Sequence, residues 1–259
     1  MQGSQMVICP VCASKDWDGR YRIGEWDIQE CSSCGFARID PMPARQMRAE
    51  CYSKEKIVER NIKQKTLIQN LSRRMKRFFG RLTGRNKSGI FYNKLLKYIS
   101  GGSRILDIGC GDGSFLKLAK GRFVCTGIEI SEHLASLAAG EPGINIITGN
   151  FLNADFSKER YSGVTMISLL EHLDDPAQAL RTCFDLLNTG GVLLLKTVNY
   201  GSFNRRIRKE RWTGFRPPDH MVYFNPANLR TMLGKIGFKK IKIHAPVFSD
   251  NMYCEAWKS

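Results

Sequence analysis

The chain has 259 residues, enough for one main domain and a small accessory unit. Its 40 Lys and Arg outnumber 24 Asp and Glu, a net charge of +16 that calls for an anionic partner such as RNA, an anionic lipid surface or a phosphorylated or acidic small molecule. No run reaches the roughly 18 apolar residues of a membrane span. Cys51, Cys110, Cys125, Cys183 and Cys254 are scattered through core-like segments behind no leader-like sequence, so a soluble protein of the reducing cytoplasm is expected.

Residues 1–43 carry two C-x2-C knuckles, Cys9-Pro-Val-Cys12 and Cys31-Ser-Ser-Cys34, 18 residues apart. Four thiolates at this spacing close a tetrahedral site with no open position, so the metal expected at Cys9, Cys12, Cys31 and Cys34 is a structural zinc. Trp17, Tyr21, Ile23, Trp26 and Ile28 supply a hairpin too small to fold on its own core. Asp40-Pro-Met-Pro43 ends this ribbon.

Residues 44–99 form a basic linker or cap. Ala44 to Lys87 holds 14 Lys and Arg against three Glu. Leu67, Ile68, Leu71, Met75, Phe78, Phe79 and Leu82 recur at helical spacing, with the cations largely off that stripe. Such a helix caps a site, lies on an anionic membrane or holds nucleic acid. A second amphipathic helix is predicted over Ile90 to Ile99.

The main domain is predicted over residues 100–259 and turns on Arg104-Ile-Leu-Asp-Ile-Gly-Cys-Gly-Asp-Gly-Ser114. An apolar strand meets Asp107 and then Gly109, Gly111 and Gly113, so the backbone turns sharply and comes close to a ligand at the start of a helix over Ser114 to Lys120. The next strand, from Phe123, ends at Glu129, whose carboxylate can accept both hydroxyl hydrogens of a ribose. Alternation then continues: a helix after Ser131, a strand over Ile144 to Thr148, a strand over Gly163 to Ser168, a helix over Pro176 to Leu187 and an apolar strand over Gly191 to Thr197. A helix over Pro226 to Leu233 and strands over Phe238 to Ile243 and Asn251 to Trp257 close the chain. Strands buried on both faces imply a doubly wound sheet with its ligand at the C-terminal strand ends.

The Leu106 to Gly113 loop, Gly127-Ile-Glu129, Leu170-Glu-His-Leu173 with Asp175-Pro176, and Leu187-Asn-Thr-Gly-Gly191 together resemble the class I S-adenosylmethionine methyltransferases of the ubiquinone-biosynthesis-like branch. The resemblance implies a Rossmann-like, seven-stranded, mostly parallel α/β sheet with its last strand antiparallel. It implies S-adenosylmethionine as cofactor, bound by Asp107, Gly109, Cys110, Gly111, Gly113 and Ile130, with Glu129 holding the ribose, Asn150 and Phe151 flanking the adenine, and Ser168 and Leu169 near the methyl group. Some relatives carry Glu-x-x-Glu-His with metal-assisted quinone chemistry; Ser168 stands at the first of those positions here, which argues against a catalytic metal.

With its four-cysteine unit the whole chain is similar to bacterial methyltransferases that modify sugars, polysaccharides or secondary metabolites. The acceptor implied is therefore a small molecule or glycan, phosphorylated or lipid-linked, methylated on oxygen. The sugar C-methyltransferases among them place a Glu-His pair where this chain has Asp219-His220, and Pro217 replaces their tyrosine. His220 is the expected general base, its imidazole oriented by Asp219 or, as the second choice, by Glu171, with His172 the other candidate base. Trp212, Phe215, Tyr223 and Phe224 are expected to line the acceptor pocket, with Arg205, Arg206, Arg208, Lys209, Arg211 and Arg216 supplying cations for a phosphate. RNA methylation is the rival favoured by charge, although no base pocket or aromatic-basic module is legible. A non-catalytic scaffold of the same fold is the third reading, opposed by the intact glycine loop and Glu129.

Overall fold

The computed structural model describes residues 7–44, 47, 87–156 and 159–259. The predicted basic amphipathic stretch between Ala44 and Lys87 lies outside the described residues apart from its ends and Met47. The strands are β1 (Trp17–Ile23), β2 (Trp26–Cys31), β3 (Ala37–Asp40), β4 (Arg104–Ile108), β5 (Val124–Glu129), β6 (Ile144–Thr148), β7 (Tyr161–Ile167), β8 (Leu187–Val198), β9 (Val222–Tyr223), β10 (Lys240–His244) and β11 (Asn251–Trp257). The helices are α1 (Lys87–Tyr98), α2 (Ser114–Ala119), α3 (Glu132–Ala139), α4 (Pro176–Leu186), α5 (Phe203–Arg208) and α6 (Pro226–Ile236). Seven strands pair in the order β10-β11-β8-β7-β4-β5-β6, with β4, β5 and β6 parallel and β10 antiparallel to β11. This is the Rossmann-like sheet expected.

The chain divides into two compact units. One, the glycine-loop unit, comprises Arg45–Thr165 and Leu186–Val192. Its core follows from the apolar runs: Ile105, Leu106 and Ile108 of β4 are buried, as are Phe115, Leu116 and Ala119 of α2. Gly163 of β7 is small because Leu95 and Ile99 come against it; a Cβ there would lie 2.9 Å from Leu95. Gly127 of β5 is tighter still, since a Cβ would lie 2.6 Å from Leu116, 2.7 Å from Cys110 and 2.9 Å from Ile146. Ser131 stands at the start of α3 as expected, but its side chain makes no cap bond.

The other, the histidine unit, comprises Met1–Ala44, Met166–Asp185 and Leu193–Ser259. Here β1, β2, β3 and β9 form a second, four-stranded sheet. Strands β3 and β9 pair antiparallel, Ala37 with Tyr223 and Arg38 with Val222. Four- and two-residue strands show no alternation to read, so the sequence gives no sign of this pairing. The aromatic side chains expected in an acceptor pocket are instead the core of this unit: Trp212, Tyr223 and Phe224 are at most 1% exposed and Phe215 is 7% exposed. Phe36 meets Phe224 edge-on at 4.9 Å, and Phe215 meets both Tyr223 and Tyr21. The physical reason is area: each ring removes a large apolar surface from water, and a two-residue strand contributes little else to hold the amino-terminal segment.

Gly127→Ala should cost about 1–3 kcal/mol of stability, because three side chains must move at once to admit one methyl. Urea denaturation of the purified variant against the parent measures it.

Candidate active site

The β4–α2 turn is built by backbone conformation. Gly109, Gly111 and Gly113 have φ of 70°, 57° and 74°, a region side-chain-bearing residues rarely occupy. Among the described residues nothing lies within 4 Å of where a Cβ of Gly111 would stand, so they leave room for a ligand to approach bare backbone there. Glu129, at the end of β5, is buried and holds the turn: one carboxylate oxygen accepts from the Gly111 N–H at 2.9 Å and the other from the Ser131 N–H at 2.9 Å. A carboxylate offers about four acceptor positions, so lone pairs remain for two ribose hydroxyls.

Asp107 is buried and accepts from the Thr165 hydroxyl at 2.6 Å. Burial and then the nearby charge of Glu129 push its pKa up to about 7, against the Thr165 hydrogen bond. Cys110 is buried, and burial raises its thiol pKa, so it is an apolar wall of the turn rather than a nucleophile. Ile130 is exposed and Phe151 buried, while the exposed Asn150 accepts from the Leu152 N–H at 3.0 Å. The donors and the open ground at Gly111 fit a nucleoside cofactor.

The histidine unit brings together Glu171, His172, Asp219 and His220. The two imidazoles meet edge-on with centroids 4.8 Å apart. His220 is 3% exposed and its Nδ1 donates to the Gly214 carbonyl at 2.7 Å, which leaves Nε2 with the lone pair. His172 Nδ1 donates to the Asp219 carbonyl at 2.8 Å, with Asp219 Oδ1 at 3.1 Å. The expectation that Asp219 orients His220 is therefore corrected. The Asp219 carboxylate lies on His172 and on Arg216, 2.6 Å away, because the loop turns the neighbouring side chains to opposite partners.

Charge separates the pair. Burial lowers the His172 pKa, but the Asp219 hydrogen bond and the Glu171 charge outweigh it and leave the pKa above the ordinary histidine value. Burial and then the charge of His172 pull His220 down to about 4. Donor atoms of Glu171, His172 and His220 lie within 4.8 Å of one another, as in metal sites. The raised pKa of His172 and the lowered pKa of His220 set the two imidazoles apart, His172 as the better proton holder and His220 as the candidate base.

Two residues here were not singled out from the sequence. Lys196 of β8 is buried and donates from Nζ to Ser168 Oγ at 2.5 Å, while the Ser168 N–H donates to the Lys196 carbonyl. Thr197 donates its hydroxyl to Glu171 at 2.7 Å. The signal was present: a lysine in the otherwise apolar run Val192 to Val198. Ser168 has φ of 59°, a strained conformation for a residue with a side chain, and Leu169 follows it half-buried. Of the expected phosphate-binding cations, Arg205 lies 4.0 Å over the Tyr200 ring and Arg216 is taken by Asp219.

Cys9, Cys12, Cys31 and Cys34 also converge. Cys9 and Cys34 sulfurs are 3.6 Å apart and Cys12 and Cys31 sulfurs 3.4 Å. A disulfide needs about 2.05 Å, whereas four sulfurs about 2.3 Å from one zinc lie about 3.8 Å apart. The set fits a metal. Burial raises Cys31 as well, yet the amides of Cys34 and Ser33 and the neighbouring thiols draw it down to about 7. One thiolate is thus ready near neutral pH.

A family model described as a methyltransferase domain matches residues 67–243. The chain belongs to this methyltransferase-domain family. The four-cysteine segment lies outside the matched stretch. The ubiquinone biosynthesis O-methyltransferase of Pseudomonas fluorescens (strain Pf0-1) is 34% identical over 106 residues, 38% of this chain and 45% of that protein. That of Coxiella burnetii (strain Dugway 5J108-111) is 32% identical over 115 residues, 40% of this chain and 49% of that one. The chain thus spans about half the length of the curated relatives it matches. Among solved structures, magnesium protoporphyrin IX methyltransferase from Synechocystis PCC 6803 with bound SAH superposes with a TM-score of 0.62 at 16% identity, covering 83% of this chain and all of that one. This likeness is one of fold.

In an NMR titration the His220 ring should show a midpoint near 4 and His172 one above 6.5. Unfolded His220 takes up its proton near 6.5 and the folded one only near 4, so stability falls as pH drops through that window. His220→Asn should flatten that loss in denaturation curves at successive pH values.

Proposed function

We propose that this protein transfers the methyl group of S-adenosylmethionine to a hydroxyl oxygen of a small-molecule or glycan acceptor, with His220 as general base. The observation that carries the reading is the buried His220, neutral at working pH and fixed by Gly214 with Nε2 as its lone-pair nitrogen. The similarity to O-methyltransferases supports oxygen as the methylated atom.

Bound S-adenosylmethionine supplies an electrophilic methyl on a sulfonium whose leaving group departs as a neutral thioether. The glycine turn holds it by main-chain groups, Glu129 accepts from the ribose hydroxyls, and Asn150 and Phe151 flank the adenine. His220 Nε2 takes the proton of the acceptor hydroxyl as its oxygen attacks. A base of such low pKa suits a hydroxyl that ionises readily, such as a phenol with a pKa of about 10, better than an alkyl alcohol. Burial first, and then His172, whose own pKa Asp219 and Glu171 raise, favour the unprotonated form of His220.

Methyl-labelled S-adenosylmethionine incubated with phenols, nucleotide sugars, lipid-linked glycans and RNA should label a small-molecule or glycan fraction. His220→Asn should lower kcat by about 10²–10⁴ while calorimetry gives an unchanged cofactor Kd. Label confined to RNA, or normal turnover of the variant, overturns the reading.

The four thiolates are assigned to one structural zinc. Metal analysis should find about one zinc per chain, and Cys31→Ser should lower both zinc retention and melting temperature; full stability without metal overturns the assignment.

A further inference from the structure

Single apolar side chains on a surface are ordinary. Leu96, Leu118, Val124, Ile130 and Leu137 are exposed in this way on separate stretches of the glycine-loop unit. The histidine unit carries something different. Phe203, Ile207, Val247 and Phe248 are 46%, 63%, 65% and 78% exposed, and they lie together. Phe203 and Ile207 are one turn apart on α5, so they share a face. The Phe203 and Phe248 rings meet edge-on at 5.8 Å. Phe203, Val247 and Arg206 line one cleft of about 290 Å³.

The platform is fixed rather than loose. Asn204 donates from its side-chain amide to the Phe248 carbonyl at 3.0 Å, which ties α5 to the loop around residues 245–248. Ser202 caps α5 by accepting from the Arg205 N–H at 3.2 Å. Asp250, just past the loop, accepts from the Trp212 ring N–H at 2.7 Å.

Charge surrounds the apolar tips. Arg206, Arg208, Lys209 and Arg211 are all exposed, and Glu210 is the one acid from residue 203 to residue 211. Arg205 is turned inward over Tyr200. Exposed apolar tips with Arg206 in the same cleft and further exposed cations next in the chain have the chemistry of an interfacial contact with anionic lipid. Nucleic acid fits less well, because bases stack on flat rings and Ile207 and Val247 offer none.

We propose that α5 and the 245–248 loop dock the protein on an anionic membrane surface. Phe203, Ile207, Val247 and Phe248 enter the boundary between headgroups and acyl chains, and the exposed Arg206, Arg208, Lys209 and Arg211 meet lipid phosphates. The proposal needs no particular acceptor and stands apart from the methyl-transfer reading.

The test is sedimentation of the full chain with vesicles of phosphatidylcholine alone and of phosphatidylcholine with about a third phosphatidylglycerol. The parent protein should bind the anionic vesicles at least about tenfold more tightly than the neutral ones, and less tightly as salt is raised. Phe203→Ser with Phe248→Ser should weaken that binding at least about tenfold, and Arg206→Gln with Arg208→Gln should reduce the preference for anionic vesicles. S-adenosylmethionine affinity reports on folding; if the double phenylalanine variant loses it, Ile207→Ser with Val247→Ser replaces that variant. Absence of vesicle binding by the parent overturns the proposal. So does undiminished binding by the apolar variants, which would assign it to another basic stretch such as residues 44–87. Loss in these variants of a concentration-dependent dimer, without vesicle binding, would assign the patch to a second copy of the chain. A parent protein that binds vesicles but not S-adenosylmethionine would defeat the methyl-transfer reading and leave this one standing.

Discussion

The main chain of Met221 is the constraint on which the histidine unit depends. Its N–H donates to the Glu171 carbonyl at 2.7 Å, and its carbonyl accepts from the Ile39 N–H at 3.0 Å. One residue thus ties the turn that carries His172, the loop that carries His220 and the sheet whose strand β2 ends at Cys31. These bonds are buried, where a lost partner costs about 1–3 kcal/mol, and the aromatic core around Tyr223 keeps water from replacing them. The four-cysteine segment is consequently a wall of this unit. Tyr200 donates to Glu30, Lys235 to the Val11 carbonyl and Asn228 to the Cys34 carbonyl, so contacts run from knuckle to helix α6 as well as from strand to strand.

Glu129 performs the corresponding task in the glycine-loop unit. Its carboxylate spans the Gly111 and Ser131 amides, so the group suited to hold a ribose also holds the turn and the start of α3. Preorganisation of this kind removes ordering cost from ligand binding. Asp107 completes the arrangement from below. It is too buried to ionise readily, and Thr165 fixes its side chain against β7, so it supports the turn as much as it could meet a ligand.

The two histidines share an environment and differ in charge because their neighbours differ. His172 has carboxylates on two sides, and His220 has a main-chain carbonyl, burial and the neighbouring His172. Separation of two identical groups in this manner pushes their pKa values apart, which is how a site assigns them different proton-transfer roles. Lys196 adds a buried amine that donates to the Ser168 hydroxyl, where the backbone is strained.

The sequence by itself determined the sheet, the glycine turn, the carboxylate ending β5, and the convergence of Cys9, Cys12, Cys31 and Cys34. Each is a local feature: short continuous apolar runs, residues that permit positive φ, and knuckles whose spacing brings thiols together. Segment boundaries followed from the same features, with β8 starting four residues before the expected Gly191 because α4 runs straight into it. Only tertiary structure decided what meets what. The β3–β9 pairing, the burial of Trp212 and Tyr223, the turn of Asp219 toward His172 and the reach of Lys196 to Ser168 join residues from about 28 to nearly 190 positions apart. No periodicity encodes such encounters, because they arise from the balance of buried area, charge and hydrogen bonding once the chain has folded.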